Sequence, residues 1–288
     1  IVLFMRSVQF LVFFSIVILI YGLVNFYIYR HGMMALPQGM TFRRWYPWIF
    51  LFLSASYIIG RVLERVWISP VSTFFTFVGS FWLALMVYFL MAVLVIDPVR
   101  LILFILPGKP HFAAANYTEI KKYLFFGITA LVSLVVLAGH INAITPRVTR
   151  LDLKIAKKAG SMKTLHIAAA SDIHMGTLVG PRRTAQLVRM LNERKADIIL
   201  LAGDIVDEDL APVIRYDLGR SLLKLKAPLG VYAITGNHEY IGGAEAAVKY
   251  LGEHGVKMLR DTAVLVNESF YLAGRKDRDS RRFSAKER

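Results

Sequence analysis

"LLAGDIVDED", residues 200–209, runs an apolar, strand-like segment straight into Gly203 and Asp204 and then adds three more acids at 207, 208 and 209. Two readings compete there. Gly and Asp are common where a strand stops and the chain reverses, and a carboxylate at the end of a buried strand also suits a divalent metal. One Gly-Asp pair does not decide between them, so the neighbouring chain must. Upstream, "TLHIAAASDIH" (164–174) is another apolar run, reaching Asp172 and His174; downstream, "LGVYAITGNHE" (229–239) reaches Asn237, His238 and Glu239.

The stretches between these runs read as helices. Pro181 opens the first, a favoured first-turn position, with Leu187, Val188, Met190 and Leu191 as its apolar stripe; the spacing predicts two more over 211–226 and 243–254. Short apolar runs alternating with amphipathic stretches form βαβ units and a parallel or mixed sheet, and right-handed crossovers align the three strands. Ligands bind at the carboxyl ends of strands in open α/β sheets. The three polar sets therefore converge in space although 65 residues separate Asp172 from Asn237.

Divalent ions accept carboxylate oxygen, imidazole nitrogen and neutral amide oxygen, and two ions roughly 3.5–4 Å apart need a bridging carboxylate. Asp204, on the middle run, is the candidate bridge. Asp172 and His174 close on one ion only if the chain turns after Asp172, and Gly176 is consistent with a tight bend. Asn237 ligates without adding charge, while Gly203 and Gly236 fit turns that need positive φ or close backbone approach. Asp207, Glu208 and Asp209 read as a solvated acidic turn, His166 as a packing residue of its strand, and His254 as a cap near a helix end.

Upstream of this region the composition changes. The 288 residues are 56% hydrophobic and lack cysteine, and the mean hydropathy is +0.51, too apolar for an ordinary soluble chain. Absence of cysteine removes disulfides, thiol nucleophiles and thiolate metal sites. The net charge of +15 divides into 10 Lys/Arg against 3 Asp/Glu over 1–146, net +7, and 25 against 17 over 147–288, net +8. Such a basic surface suits anionic lipid headgroups or phosphorylated substrates; nucleic acid is not an expected partner.

About 20 apolar residues span a bilayer. Residues 7–29, 45–60, 71–96 and 123–144 meet or approach that length, which predicts about four transmembrane helices, an integral membrane protein with the bilayer as partner, and three parts: 1–146 helical, 147–162 a basic linker, 163–288 an α/β domain. His31, His111 and His140 have no acid near them in sequence and are expected to be bland. No chain of intramembrane carboxylates suggests transport. Loops 30–45 and 97–122 carry seven Lys/Arg, against Arg6, Arg61 and Arg65 on the opposite side. This bias leans toward the soluble domain lying outside the cytoplasm.

"SDIHMG" (171–176), "LLAGDIVD" (200–207) and "ITGNHEY" (234–240) resemble, in order, the D-x-H, GD and GNH[ED] blocks of the calcineurin-like metallophosphoesterase superfamily, and the chain is most similar to bacterial membrane-attached members of the YkuE type. "LAGRKDRD" (272–279) is similar to a Gly-x-Asp-Asp stretch of that group. The resemblance implies a β-sandwich flanked by helices, a bacterial inner-membrane location and two divalent ions, Mn, Zn or Fe. It implies Asp172 and His174 on one ion, Asp204 bridging, Asn237 on the second, and His238 as the catalytic residue beside the phosphate. The reaction implied is hydrolysis of a phosphomonoester, phosphodiester or pyrophosphate, with a lipid-linked substrate suited to an anchored domain. A catalytically silent membrane sensor or scaffold that binds an anionic ligand is the competing reading. The family's two later histidine blocks have no counterpart after His254, and the chain starts at Ile1 and ends in "DRDSRRFSAKER". The expectation is a chain whose C-terminal part is missing, which by itself binds metal weakly and turns over poorly.

Overall fold

The computed structural model describes residues 2–105, 116–157 and 162–281; His111 and Lys109 lie outside them. The chain divides into two compact units, Ile1–Arg147 and Val148–Arg288.

The first unit holds α1 (Val2–Ala35), α2 (Thr41–Val66), α3 (Pro70–Ile105) and α4 (Tyr117–Ile144). All four are long and apolar enough to cross a membrane. Each is longer than its uncharged run, because a helix satisfies its own backbone and can continue past the hydrocarbon. The α2–α3 contact is the tightest. Ser56 and Gly60 face Ser72, Thr76 and Gly79, and a Cβ at Gly79 would stand 2.3 Å from Tyr57 Cα. Small residues let the backbones approach to distances where dispersion acts over the whole interface, the main attraction available when lipid is as apolar as leucine. Asn25 bridges helices by donating to Tyr21 O and accepting from Trp82 Nε1 at 3.0 Å.

Of the two described membrane histidines, one differs from expectation. His31 has an acid partner: Asp97 Oδ1 lies 2.9 Å from its Nε2. The partner comes from 66 residues away on another helix, which no local reading detects. His140 packs on the rings of Phe77 and Phe81.

The second unit begins its sheet with β1 (Ile167–Ala170), followed by α5 (Pro181–Glu193), β2 (Ile198–Ala202), α6 (Leu210–Arg215), α7 (Gly219–Leu222), β3 (Val231–Ile234), α8 (Asn237–Gly242), α9 (Ala244–Glu253) and β4 (Lys257–Met258). The order β1-β2-β3-β4 is parallel throughout. β5 (Thr262–Val266) and β6 (Phe270–Gly274) pair antiparallel as a hairpin. One face of the sheet carries the helices, burying Ile199, Leu201, Val188, Val213 and Leu251. On the other, Ile198, Tyr232 and Leu259 pack against Val264, Val266, Phe270 and Leu272 of the hairpin. Each fully buried aliphatic side chain contributes about 1.5–3 kcal/mol, enough to set the register of the three core strands. Leu265 and Tyr271, on the hairpin's other face, are exposed.

Three local expectations are corrected. The helix over 211–226 is two short pieces, because Asp217 takes a left-handed φ of 49° that ends the first. A helix starts at Asn237 itself, ahead of the one over 243–254. His166 is exposed rather than packed: its backbone N–H donates to Asp197 Oδ2 at 2.7 Å.

Candidate metal centre

The loops after β1 and β2 are joined by their backbones. Asp172 N–H donates to Gly203 O, His174 N–H to Asp204 O, Met175 N–H to Ile205 O, and Asp207 N–H returns to Met175 O, at 2.8–3.3 Å. Three residues in these loops, Asp172, His174 and Asp204, hold φ of 53°, 50° and 49°. Left-handed backbone is unfavourable for non-glycine residues and concentrates at functional sites. Gly203 is also left-handed, at φ 86°. Gly236 is not; it is required by close approach, since a Cβ there would meet Asp204 Oδ1 at 2.2 Å.

Glu239 holds the β2 loop to the β3 loop. It is 1% exposed, and its carboxylate accepts from the N–H groups of Ile205 and Val206 through Oε1 and of Asp204 and Gly236 through Oε2, at 2.7–3.1 Å. A buried carboxylate is stable only when its lone pairs are matched, and here four backbone donors match them. In the sequence Glu239 is one more polar residue at a strand end, two positions after the candidate ligand Asn237, and nothing there signals its burial.

Around this clamp, His174, Asp204 and His238 each bring a ligand atom to within 4.8 Å of the others. The two imidazoles meet edge to face with centroids 4.4 Å apart, and Asp204 Oδ1 accepts the His238 backbone N–H at 2.9 Å. Asp172, which is exposed, stands outside this trio at the end of the same loop as His174, and Asn237 is half-buried on the first turn of α8. Of the sequence-derived residues, the fold thus gathers His174, Asp204 and His238 tightly and leaves Asp172 outside that trio.

Asp207 departs from the solvated-turn reading. Its Oδ1 lies 3.3 Å from His238 Nδ1 and 3.7 Å from His174 Nδ1, so one carboxylate faces both rings. Nothing in three consecutive acids marks which one turns inward; Asp209 instead caps α6, accepting from Ala211 N–H. His238 Nδ1 is buried without a hydrogen-bond partner, because Asp207 is near it but out of line. Two imidazoles and a carboxylate converging beside a buried ring nitrogen lacking a bond match the donor set of a transition-metal or zinc site. His254, by contrast, is spent within its helix, Nδ1 bonding Tyr250 O at 2.7 Å.

Several known proteins are similar to this chain. The chain is 37% identical over 114 residues to a bovine "transmembrane protein with metallophosphoesterase domain", covering 39% of this chain and 24% of that one. It is 26% identical over 266 residues to an uncharacterized metallophosphoesterase of Campylobacter jejuni, 91% of this chain and 67% of that one, a match that takes in both units. It is 29% identical over 117 residues to the UDP-2,3-diacylglucosamine pyrophosphatase LpxG of Chlamydia muridarum, 39% and 35% of the two chains. The chain therefore spans between about a quarter and two thirds of these relatives. No solved structure matches it significantly. The family model for calcineurin-like phosphoesterases matches residues 165–285, and this part of the chain belongs to the calcineurin-like metallophosphoesterase superfamily.

Proposed function

We propose that the chain is part of a membrane-anchored, metal-dependent phosphoesterase that hydrolyses a phosphoester or pyrophosphate bond. The observation that carries this is the convergence of His174, Asp204 and His238 at strand ends of one parallel sheet. Asp172 and His174 would hold one divalent ion, Asp204 would bridge, and Asn237 would hold a second, with Mn, Zn or Fe each compatible with these donors. When bound, the ions would supply polarisation of the phosphoryl oxygens and a water of lowered pKa.

The chain's own groups do the rest. His238 gives a proton to the leaving oxygen as the ester bond breaks. Asp207 sets a carboxylate oxygen 3.3 Å from Nδ1 of that ring, where it can act on the ring's position. Glu239 sets the distance between the Asp204 and His238 loops through its four backbone bonds.

A lipid-linked substrate is the reading we favour, since four apolar helices precede the domain and one relative bears the name of a pyrophosphatase of a diacylated sugar nucleotide. The location would be a bacterial inner membrane with the domain on its outer side, which the Lys/Arg excess in loops 30–45 and 97–122 supports.

The test is Mn²⁺ binding and Mn²⁺-dependent hydrolysis of bis(p-nitrophenyl) phosphate, compared between the parent protein and His238→Ala. The proposal expects hydrolysis to fall by at least about a hundredfold, the usual contribution of a general acid. A silent scaffold would bind the ion and show no hydrolysis that depends on His238.

A further inference from the structure

The helical unit contains a cavity of about 1690 Å³ among α1, α2, α3 and α4, larger than the roughly 300–1,000 Å³ of pockets for drug-sized ligands. Its walls are mainly apolar, with Phe50, Trp82, Phe89 and Phe125 among them, but its lining also includes His31, Asp97, Arg100, Arg43 and Lys121. These polar residues come from one end of the bundle: the C-terminal turns of α1 and α3 and the N-terminal turns of α2 and α4.

The depth of that end follows from helix length. α3 has 36 residues, about 54 Å at 1.5 Å per residue, against a hydrocarbon core of about 30 Å. Asp97 is the first charge after the apolar run 71–96, and His31 follows the uncharged run 7–29; both therefore fall at the level of lipid headgroups. Trp82 is 15 residues before Asp97 on the same helix, about 22 Å deeper by the same rise. The cavity thus joins a polar mouth to an apolar body at least as deep as one leaflet, about 15 Å.

The mouth has a sign. Asp97 is engaged by three donors: Tyr27 OH to Oδ2 at 2.5 Å, His31 Nε2 at 2.9 Å and Arg100 Nη1 at 3.4 Å to Oδ1. Its single negative charge stands against three permanent cations, Arg43, Arg100 and Lys121. Arg43 donates to Met33 O and Leu36 O, and Lys121 to Met34 O, so both are held in place by the carbonyls at the end of α1. Cations fixed in this way lose little freedom on meeting an anion, and basic side chains at the headgroup layer attract anionic lipid.

We infer that this cavity is a binding site for one anionic phospholipid, its phosphate against Arg100 and Lys121 and an acyl chain along the aromatic wall down to Trp82. The site shares no residue with the candidate metal centre, and it stands whether or not the domain of residues 165–285 hydrolyses phosphoesters.

The probe is a phospholipid brominated in its acyl chain. Replacing Trp45, Trp48 and Trp67, which are exposed, with phenylalanine leaves Trp82, which is 3% exposed, as the reporter. The full chain is placed in phosphatidylcholine vesicles containing a few mole per cent of brominated phosphatidylglycerol or brominated phosphatidylcholine. The expected result is several-fold stronger quenching of Trp82 by the phosphatidylglycerol. Arg100→Gln should abolish the preference, Arg100→Lys should retain it, and Arg44→Gln, at the same end but outside the cavity, should leave it unchanged. Equal quenching by the two lipids would overturn the inference, as would a preference that survives Arg100→Gln or one lost equally with Arg44→Gln. The helical far-ultraviolet signal and a monodisperse elution of each variant confirm that a lost preference is not lost folding.

Discussion

The two units satisfy their polar side chains by opposite means. In the helical unit, His31 and Asp97 meet side chain to side chain across two helices, and Asn25 joins Trp82 in the same way. In the phosphoesterase unit the principal buried carboxylate, Glu239, bonds only to backbone N–H groups of two loops. The difference lies in what each fold leaves unsatisfied. A membrane helix uses its own N–H and C=O groups internally, so a polar side chain must find another side chain or a carbonyl's second lone pair. Loops at strand ends have spare N–H groups, and a carboxylate placed among them orders the backbone that carries the candidate metal ligands.

This contrast can be broken or sharpened by substitution. The largest effect is expected from Asp204→Asn, which keeps volume but removes the candidate bridging charge: metal-dependent hydrolysis should fall by about a thousandfold or more, in the range found when a central electrostatic group is removed. Circular dichroism should remain that of the parent, and near-normal turnover would end the dinuclear assignment.

Glu239→Leu comes next. It leaves four backbone donors without their acceptor, and one buried unmatched group costs about 1–3 kcal/mol. Unfolding of the second unit in urea should therefore show a loss of about 3 kcal/mol or more, whereas Glu239→Gln, which can still accept, should lose less. Equal losses would mean that the clamp is packing rather than hydrogen bonding.

Asp207→Asn tests a positioning role. If Asp207 acts through His238, kcat should drop by about ten- to a hundredfold, a part of the general-acid contribution, while KM and Mn²⁺ affinity stay near the parent values. A fall in Mn²⁺ affinity instead would place Asp207 among the metal ligands.

In the helical unit, Gly79→Val sets a side chain against the Tyr57 backbone, where even a Cβ would be 2.3 Å away. Overpacking of this kind costs about 1–3 kcal/mol, and a lower thermal midpoint in detergent should report it. Gly22→Val, at a position with nothing within 4 Å of an added Cβ, is the control and should leave the midpoint unchanged.

The smallest effect concerns pH. The hydrogen bond from Arg260, at 2.6 Å, holds the Glu245 carboxyl below the usual carboxylate range. Its contribution is complete above the unfolded pKa of about 4.3 and is lost as pH falls through the lower folded value. The Glu245 side chain is 63% exposed, so solvent screening limits the pair to a few tenths of a kcal/mol. Glu245→Gln should thus lower stability slightly near neutrality and not at all in strong acid; a difference that grows with acidification would reverse the sign.

The convergence of His174, Asp204 and His238 was legible beforehand for a specific reason. Asp172, His174, Asp204, Asn237 and His238 follow apolar runs of strand length, and parallel strands joined by helices bring such ends to one side of the sheet. Asp207 was not legible, because position within an acidic run says nothing about the direction of a loop. Nor was the division of 211–226, which depends on the left-handed turn at Asp217 and on Gly219, where a Cβ would fall 2.5 Å from the ring of His254.

By itself the sequence determined the four apolar helices, the three core strands and the order of the motif residues. Each of these depends on local quantities: run length against bilayer thickness, alternation of apolar and amphipathic segments, and polar residues at segment ends. Only the tertiary structure decided that Asp207 faces two histidines, that Glu239 is a clamp, that His31 has Asp97 as its partner, and that α2 and α3 touch through Gly60 and Gly79. Those contacts join residues up to 66 positions apart. Their geometry is set by how whole elements pack, and packing depends on shape and volume across the core, which no local pattern along the chain encodes.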